Sequence, residues 1–206
     1  MHLPAAFEMD AGGAFALIEQ HPLAQLVVAS PDGLLATPVP LIARGNTLVG
    51  HLARANTVWR HAGPALALFT GAQAYVSPNW YPSKHEHGKA VPTWNYETVH
   101  VHGTLVIHDD DEWKLPVLTA LTDRFEAAHP VPWKVTDAPA DYLAAMTRGV
   151  VGLELTNLRV DAKSKFSQNR SDDDRAGVID GLSRGDADAQ AVATQMGRRA
   201  VLDSGT

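Results

Sequence analysis

The sequence contains no cysteine, and this absence narrows the possible functions. A chain without cysteine has no disulfide framework, no thiolate metal site and no cysteine nucleophile. It also lacks an apolar run of the ~18 residues that would cross a bilayer. Residues 1–7 have neither the cationic nor the long apolar segment of a signal peptide. We therefore expect a cytoplasmic protein that is not inserted in a membrane.

Charge is also scarce, because only 19% of the 206 residues are charged, and the formal net charge is −6. This composition does not imply the strongly basic face that is typical of nucleic-acid-binding domains. Hydrophobic residues make up 45% of the chain, which is enough for a sizeable core. The length suits one domain. We expect it to span residues 1–184, with residues 185–206 as a C-terminal helical tail of the same domain.

Apolar periodicity predicts six or seven strands with peripheral helices. The predicted strands are 23–30, 34–43, 47–52, 65–70, 74–77, 96–108 and 149–160. The predicted helices are 10–20, 56–61, 115–128, 139–146, one that begins after Ser171, and 186–199. Residues 78–93 contain three prolines and are expected to form a long loop. The pattern indicates an α+β fold that is dominated by a closed or nearly closed antiparallel sheet.

The first candidate site is the segment that starts at His51, where a predicted strand ends and a helical turn begins. Helix N-termini present unpaired N–H groups and a partial positive charge to anions. Arg54 would add a bidentate donor, and Asn56 or Thr57 would add a polar cap, so the segment could hold a phosphate. The alternative is a capped helix beside a surface arginine, and such caps are common.

The second candidate site is the aromatic segment between residues 76 and 96. It concentrates tryptophan and tyrosine in a chain that is only 7% aromatic. Aromatic faces beside amide and hydroxyl groups suit a planar heteroaromatic ligand. Trp94 and Asn95 are the residues of interest here. A loop anchored by aromatic packing is an equally good interpretation.

The third candidate site is the segment 163–170, which is dense in hydrogen-bond donors. Gln168 and Asn169 could read the polar edge of a ring. Lys165 and Arg170 could meet a phosphate or stabilise charge on a ring. The alternative is a solvated loop.

No metal site is expected. His85 and His87 form a short pair, but zinc needs three or four convergent ligands. The sequence also has no nucleotide-binding glycine loop, no Gly-x-Ser-x-Gly elbow and no His-Glu-x-x-His helix.

The three candidate segments together resemble the PaiB-like family of FMN-binding negative transcriptional regulators. The strings VSPNWYPSK, VPTWNYETVHVHG and KFSQNRSDDDRAGVIDGL carry the resemblance, and HLARANTVWRH and APADYLAAM are similar too. The match runs from the N-terminus to about Leu182. It implies a split antiparallel β-barrel related to the pyridoxamine-phosphate-oxidase-like flavoproteins. Such barrels usually form homodimers with FMN in a groove between the subunits.

The resemblance also implies roles for individual residues. Arg54 and its neighbours would form the phosphate end of the FMN site. Trp94, Asn95 and Gln168 would form the ring end, from the same or from opposite subunits. The chain departs from the family at Ala162 and Ser164, where a glycine and a bulky apolar residue are common. The segment after Arg184 carries no resemblance.

Two functions remain open from the sequence. The first is an FMN-binding regulator of transcription, as the family name implies. It has no helix-turn-helix signature, and DNA affinity depends mainly on phosphate neutralisation, so a basic patch of the dimer or a protein partner would have to contact DNA. The second is a flavin-dependent oxidoreductase acting on a small substrate, because FMN itself supplies redox chemistry. A barrel that has lost its cofactor is a third, simpler possibility.

Overall fold

The structure is a computed structural model that describes the backbone of residues 1–203 and the side chains of residues 1–199. Its strands are β1 (Leu23–Ser30), β2 (Gly33–Arg44), β3 (Thr47–Ala53), β4 (Gly63–Val76), β5 (Thr93–His108) and β6 (Val150–Lys165). They form a closed barrel in the order β1-β2-β3-β6-β5-β4. The pairings of β1 with β2 and β4, and of β3 with β2 and β6, are all antiparallel.

Helices accompany the barrel throughout the described residues. The α-helices are α1 (Ala11–Gln20), α2 (Pro82–His87), α3 (Asp111–Glu126), α4 (Ala140–Arg148), α5 (Asp172–Ser183) and α6 (Ala187–Asp203). Short 3-10 helices span Ala5–Phe7, Thr57–Arg60, Pro78–Trp80 and Val135–Asp137. The prediction of an α+β split barrel with peripheral helices is therefore confirmed. None of the helices in this part of the chain is long and apolar enough to cross a membrane.

Two of the predicted boundaries were wrong. The predicted strands 65–70 and 74–77 are one strand, β4, which continues through Gly71. A Cβ at Gly71 would lie 2.8 Å from the side chain of Glu97, so glycine is required by a close approach and does not end the strand. The predicted loop 78–93 contains a 3-10 helix and α2, because Pro82 occupies the first helical position, where proline is favourable.

The chain divides into two compact units, and each unit contains separate stretches of sequence. The first unit comprises residues 1–17, 70–99 and the chain from 161 onward, and the second comprises 18–69 and 100–160. In the first unit, Val192 and Met196 of α6 are buried in one cluster with Val76, Tyr81 and Leu182. The division into a domain over 1–184 and a helical tail over 185–206 stays a prediction.

The second unit has its own core. Val117 and Leu121 of α3 pack on Ile42 of β2 and Val49 of β3. The fully buried Val151 and Leu153 belong to β6. Consecutive residues are buried in both strands, at 48–50 of β3 and at 151–153 of β6, so both faces of these strands are covered there.

Candidate functional site

The predicted site residues fall into both units, and the second unit contains His51, Arg54, Asn56 and Thr57. Asn56 is the N-cap of the 3-10 helix Thr57–Arg60, as predicted, and its side chain accepts a hydrogen bond from the Val58 N–H. Its amide nitrogen donates to the Thr37 hydroxyl at 2.8 Å. Because the helix has a single turn and Asn56 already binds one of its N–H groups, this end offers few donors for an anion.

Arg54 makes a two-point ion pair with Asp109. Its Nη1 donates to Oδ2 of Asp109 at 2.9 Å, and its Nη2 donates to Oδ1. The Nε also donates to the Arg148 carbonyl at 2.8 Å, and Nη2 to the Val150 carbonyl at 3.2 Å. Hydrogen bonding to this guanidinium lowers the pKa of Asp109 and raises the pKa of Arg54. All three nitrogens of Arg54 are therefore engaged within the chain.

The same ion pair lines an open cleft of about 590 Å³ in the second unit. The nearly inaccessible Lys114 lies there, with its Nζ 3.0 Å from Asp111 and 3.5 Å from Asp109, and it donates to the Thr147 carbonyl. Arg148 also lines the cleft and has no carboxylate partner among the described residues. Two carboxylates thus offset most of the positive charge, and a phosphate would have to compete with both of them.

His51 lies on β3 opposite Gly152 of β6 and is half-buried. Burial lowers the pKa of this histidine, so its ring is neutral near pH 7. Its Nδ1 is buried and has no hydrogen-bond partner among the described residues. The residue borders a groove of about 270 Å³ whose other walls include Pro40, Leu121, Phe125 and Trp133.

The first unit contains the other four predicted residues, and two of them are committed to internal contacts. Asn95 is completely buried, and its amide nitrogen donates to the Ser167 hydroxyl at 3.1 Å and to the Met196 sulfur at 3.4 Å. Gln168 folds back on its own turn: its amide nitrogen donates to the Ser164 carbonyl, and its oxygen accepts from the Phe166 N–H, each at 2.6 Å. Both amides therefore hold the chain in place.

Lys165 has a different environment, because its neighbours are other cations. Its Nζ donates to the Trp94 carbonyl at 2.7 Å and to the Thr93 hydroxyl. Burial lowers the pKa of Lys165, and the positive charges of Lys163 and Arg170 lower it further. We refer to Lys163, Lys165 and Arg170 as the cation cluster.

The other two members of the cation cluster rest on aromatic rings. Lys163 is only 8% exposed, donates to the His2 carbonyl at 3.1 Å and lies 5.5 Å from the ring centre of Tyr96. The Arg170 guanidinium lies 4.8 Å above the ring centre of Tyr81. In the part of the chain that the structure describes, no member of the cluster has a carboxylate partner. The cluster is therefore an uncompensated positive site that an anion would stabilise.

Two orphaned hydroxyl groups lie in the same unit. The buried Tyr81 Oη and Ser164 Oγ have no hydrogen-bond partner among the described residues. Buried polar groups are usually paired, so such exceptions commonly mark a missing ligand or water. Ser164 lies between Lys163 and Lys165 on β6, and successive side chains of a strand point to opposite faces, so its hydroxyl is not part of the cation cluster. The cation cluster alone fits an anionic ligand such as a phosphate ester.

Trp94 is 53% exposed, and its ring meets Tyr75 edge to face, with 6.4 Å between the ring centres. It borders a groove of about 400 Å³ in the first unit. Sequence reasoning identified Trp94 but missed three other residues of this groove, namely Tyr75, Asp186 and Asp188. The aspartates near the start of α6 could have indicated an acidic site, but nothing in the sequence connected them with the aromatic segment.

The histidine pair is not part of a larger cluster. His85 and His87 are exposed on α2, and the His87 ring accepts a hydrogen bond from the Lys89 N–H. Across the described residues, no group of three or more histidine, aspartate or glutamate side chains could hold a metal ion. The expectation of no metal site stays a prediction.

Comparison with known families and proteins gives several matches. Residues 1–158 match the family model described as "Putative FMN-binding domain". The Bacillus subtilis protein named "Protease synthase and sporulation protein PAI 2" is 27% identical over 190 residues, which cover 88% of this chain and 89% of that one. An uncharacterized protein of Emericella nidulans is 33% identical over 146 residues, 65% of this chain. The match spans only 58% of that fungal relative.

Solved structures share the fold at low sequence identity. The FAD and heme binding protein from Mycobacterium smegmatis has a TM-score of 0.60 and 20% identity, covering 83% of this chain and 79% of that one. A flavocytochrome from Azotobacter vinelandii has a TM-score of 0.59 and 14% identity, covering 85% and 78%. At these identities the likeness concerns the fold.

Proposed function

Because the chain belongs to the family described as "Putative FMN-binding domain", we propose that it binds FMN through the cation cluster and works as a homodimeric regulator of transcription. The observation that carries this proposal is the uncompensated charge of Lys163, Lys165 and Arg170 beside an exposed tryptophan. We also propose a cytoplasmic location, as the sequence led us to expect.

Lys165 is the member of the cluster that we assign to the anionic part of FMN. Its position next to two other cations disfavours its own charge, and a phosphate would reverse that effect. Hydrogen bonds to charged groups contribute about 1.5–3 kcal/mol, more than bonds between neutral groups. Lys165 reaches Trp94 through the main-chain carbonyl, and the exposed indole of Trp94 is not assigned to the flavin.

The alternative site for the phosphate is the one that the sequence favoured, at Arg54 with Asn56, Thr57 and His51. The ion pair with Asp109 weighs against it, since binding would leave that carboxylate without its partner. We therefore rank Arg54 below Lys165. We assign Asn95 and Gln168 to the stability of the chain around them and not to contacts with the flavin.

FMN supplies redox chemistry when it is bound, and the protein supplies binding and orientation. In a regulator the flavin would report a redox or metabolic state. The relative from Bacillus subtilis is named for protease synthesis and sporulation, two processes that cells control. This name supports a regulatory role more directly than an enzymatic one.

The first experiment is a titration of flavin-free protein with FMN and, separately, with riboflavin, followed by flavin fluorescence. We expect FMN to bind more tightly, because riboflavin lacks the phosphate. The absorption spectrum of the protein as purified gives an independent indication of bound flavin. Equal affinities for the two ligands would exclude a phosphate site in the cation cluster.

The second experiment tests the homodimer and the contact with DNA. Light scattering over a dilution series should give the mass of two chains. The FMN-loaded protein is then incubated with a random-sequence duplex library, and bound duplexes are sequenced after repeated selection at two salt concentrations. Enrichment of one sequence supports regulation through DNA. If no sequence is enriched, direct recognition of DNA is excluded, and the proposal of FMN binding is not affected.

A further inference from the structure

The groove beside Trp94 combines aromatic rings with acidic side chains, and its charge is opposite to that of the cation cluster. Its volume is about 400 Å³, and its wall includes Tyr75, Trp80, Trp94, Asp186 and Asp188. We infer that this groove binds a small organic cation with an ammonium head and a short apolar body. The inference does not rest on FMN binding.

The aromatic side of the groove is open to a ligand. Trp94 is 53% exposed and Tyr75 is 47% exposed, although large aromatic side chains normally bury most of their surface. The two rings meet edge to face at an interplanar angle of 75°, so they present differently oriented surfaces. Faces of tryptophan and tyrosine attract ammonium groups through the ring quadrupole.

Trp80 provides a fixed wall, because it is wedged against α5. A Cβ at Gly181 would lie 2.4 Å from the Trp80 ring, and a Cβ at Gly177 would lie 2.1 Å from its carbonyl oxygen. The indole therefore packs directly on the glycine backbone of the helix. A wall held in this way is preorganised, which lowers the entropy that a ligand loses on binding.

Among the described residues, the acidic side of the groove contains no cationic side chain. Asp186 caps α6, since its Oδ1 accepts from the Ala189 N–H at 2.9 Å, and this bond fixes the carboxylate. Within the described residues, neither Asp186 nor Asp188 has a cationic partner, whereas Asp172 and Asp180 of α5 pair with arginines. The groove carboxylates are thus available to a cation from solution.

These features select one class of ligand. A carboxylate pair repels the phosphate of a nucleotide and attracts an ammonium group, and the aromatic faces favour a cation that is weakly hydrated, such as an alkylated amine. The groove volume of about 400 Å³ is large enough for a small organic amine.

The test uses the full-length protein as purified and two probes of nearly the same shape. Choline carries a quaternary ammonium group, and 3,3-dimethylbutan-1-ol is its uncharged isostere. Each is titrated by calorimetry, with tryptophan emission as a second signal. We expect choline to bind about tenfold more tightly than the alcohol. Equal affinities, or no binding of choline, would overturn the inference.

Variants then locate the binding site. Asp186→Asn with Asp188→Asn keeps a helix-capping side chain and removes the charges, and should weaken choline binding about three- to tenfold. Trp94→Leu should weaken it about two- to fivefold. Asp173→Asn is the matched control, because Asp173 is an exposed acid on α5 outside the groove, and it should leave the affinity unchanged. Unchanged affinity in the double variant would also overturn the inference.

Competition with FMN separates this inference from the proposed function. We expect choline to bind equally well with and without saturating FMN. If FMN displaces choline, the groove holds the flavin ring and the inference fails. If the protein binds choline but not FMN, only the proposed function fails.

Discussion

The Arg54 guanidinium donates to both carboxylate oxygens of Asp109. The charge of the arginine that the sequence favoured as a phosphate ligand is therefore neutralised within the chain. Lys165 makes hydrogen bonds only to uncharged oxygens of Thr93 and Trp94 among the described residues. The contrast between these two cations decides which of them is better suited to an anionic cofactor. The effects of substituting Lys165 and Arg54 on FMN affinity can therefore be compared directly.

Lys165→Met should raise the dissociation constant of FMN about 10- to 100-fold, because it removes a charged donor and keeps a similar side-chain length. Arg54→Ala should change it less than about threefold, since Arg54 already binds Asp109. Flavin fluorescence titration measures both values. A larger effect of Arg54→Ala would place the phosphate in the second unit. If Lys165→Met weakened FMN and riboflavin equally, Lys165 would contact the ring.

The affinity for FMN should fall as the pH rises above neutral toward the pH of about 10.4 at which an ordinary lysine loses its proton. Burial and the charges of Lys163 and Arg170 lower the pKa of Lys165, so the free protein loses this proton below the usual range of lysine. A bound phosphate favours the protonated form, and it is already fully ionised above about pH 7. Binding therefore takes up a proton at high pH and becomes weaker there.

The control for this pH dependence is Lys165→Arg. Arginine stays protonated throughout the range, so the variant should bind FMN with an affinity that changes little over the same range. The measurement is the same fluorescence titration in buffers of matched ionic strength. An equally steep decline in the arginine variant would assign the titration to another group.

The strands were predictable because most of them are apolar runs that end at turn residues, and because apolar and polar residues alternate from 96 to 108. The predicted strand 23–30 coincides with β1, and the predicted 47–52 differs from β3 by one residue. The failures have local causes. Two strands were predicted on either side of residues 71–73, although Gly71 lets the single strand β4 pass Glu97. The three prolines of residues 78–93 favoured a loop, although Pro82 begins a helix.

The candidate site was harder to predict because its decisive contacts are distant in sequence. Asp109 lies 55 residues from Arg54, and no local pattern connects the two. Asn95 is paired with Ser167, which is 72 residues away, so its burial was not apparent. The contacts of Gln168 lie within four residues and could have been suspected, since glutamine can bind its own turn.

Gln168→Ala should lower the free energy of unfolding by about 1–3 kcal/mol, because two hydrogen bonds of the turn are lost. FMN affinity should change less than about twofold under conditions where the variant is folded. Chemical denaturation and flavin titration measure the two quantities. Asn169→Ala is the matched control, since Asn169 is exposed and has no side-chain partner among the described residues. A large loss of FMN affinity with unchanged stability would show that Gln168 contacts the flavin.

Gly181→Ala should destabilise the first unit, because the new methyl group would lie 2.4 Å from the Trp80 ring. Neither the helix backbone nor the wedged indole can move freely, so we expect a loss of about 1–3 kcal/mol in the free energy of unfolding, typical of overpacking. Choline affinity should fall as well, since displacement of Trp80 changes one wall of the groove.

Gly197→Ala, in α6, should change the free energy of unfolding in the opposite direction. A Cβ at Gly197 would have no neighbour within 4 Å beyond its own helix. Alanine is a better helix former than glycine, so this variant should be more stable by about 0.5–1 kcal/mol. Urea denaturation of both variants checks the difference, provided the slopes match. If Gly181→Ala were as stable as the unsubstituted protein or more stable, the contact between Trp80 and Gly181 would not be the constraint that holds the indole, and the fixed wall of the groove would need another cause.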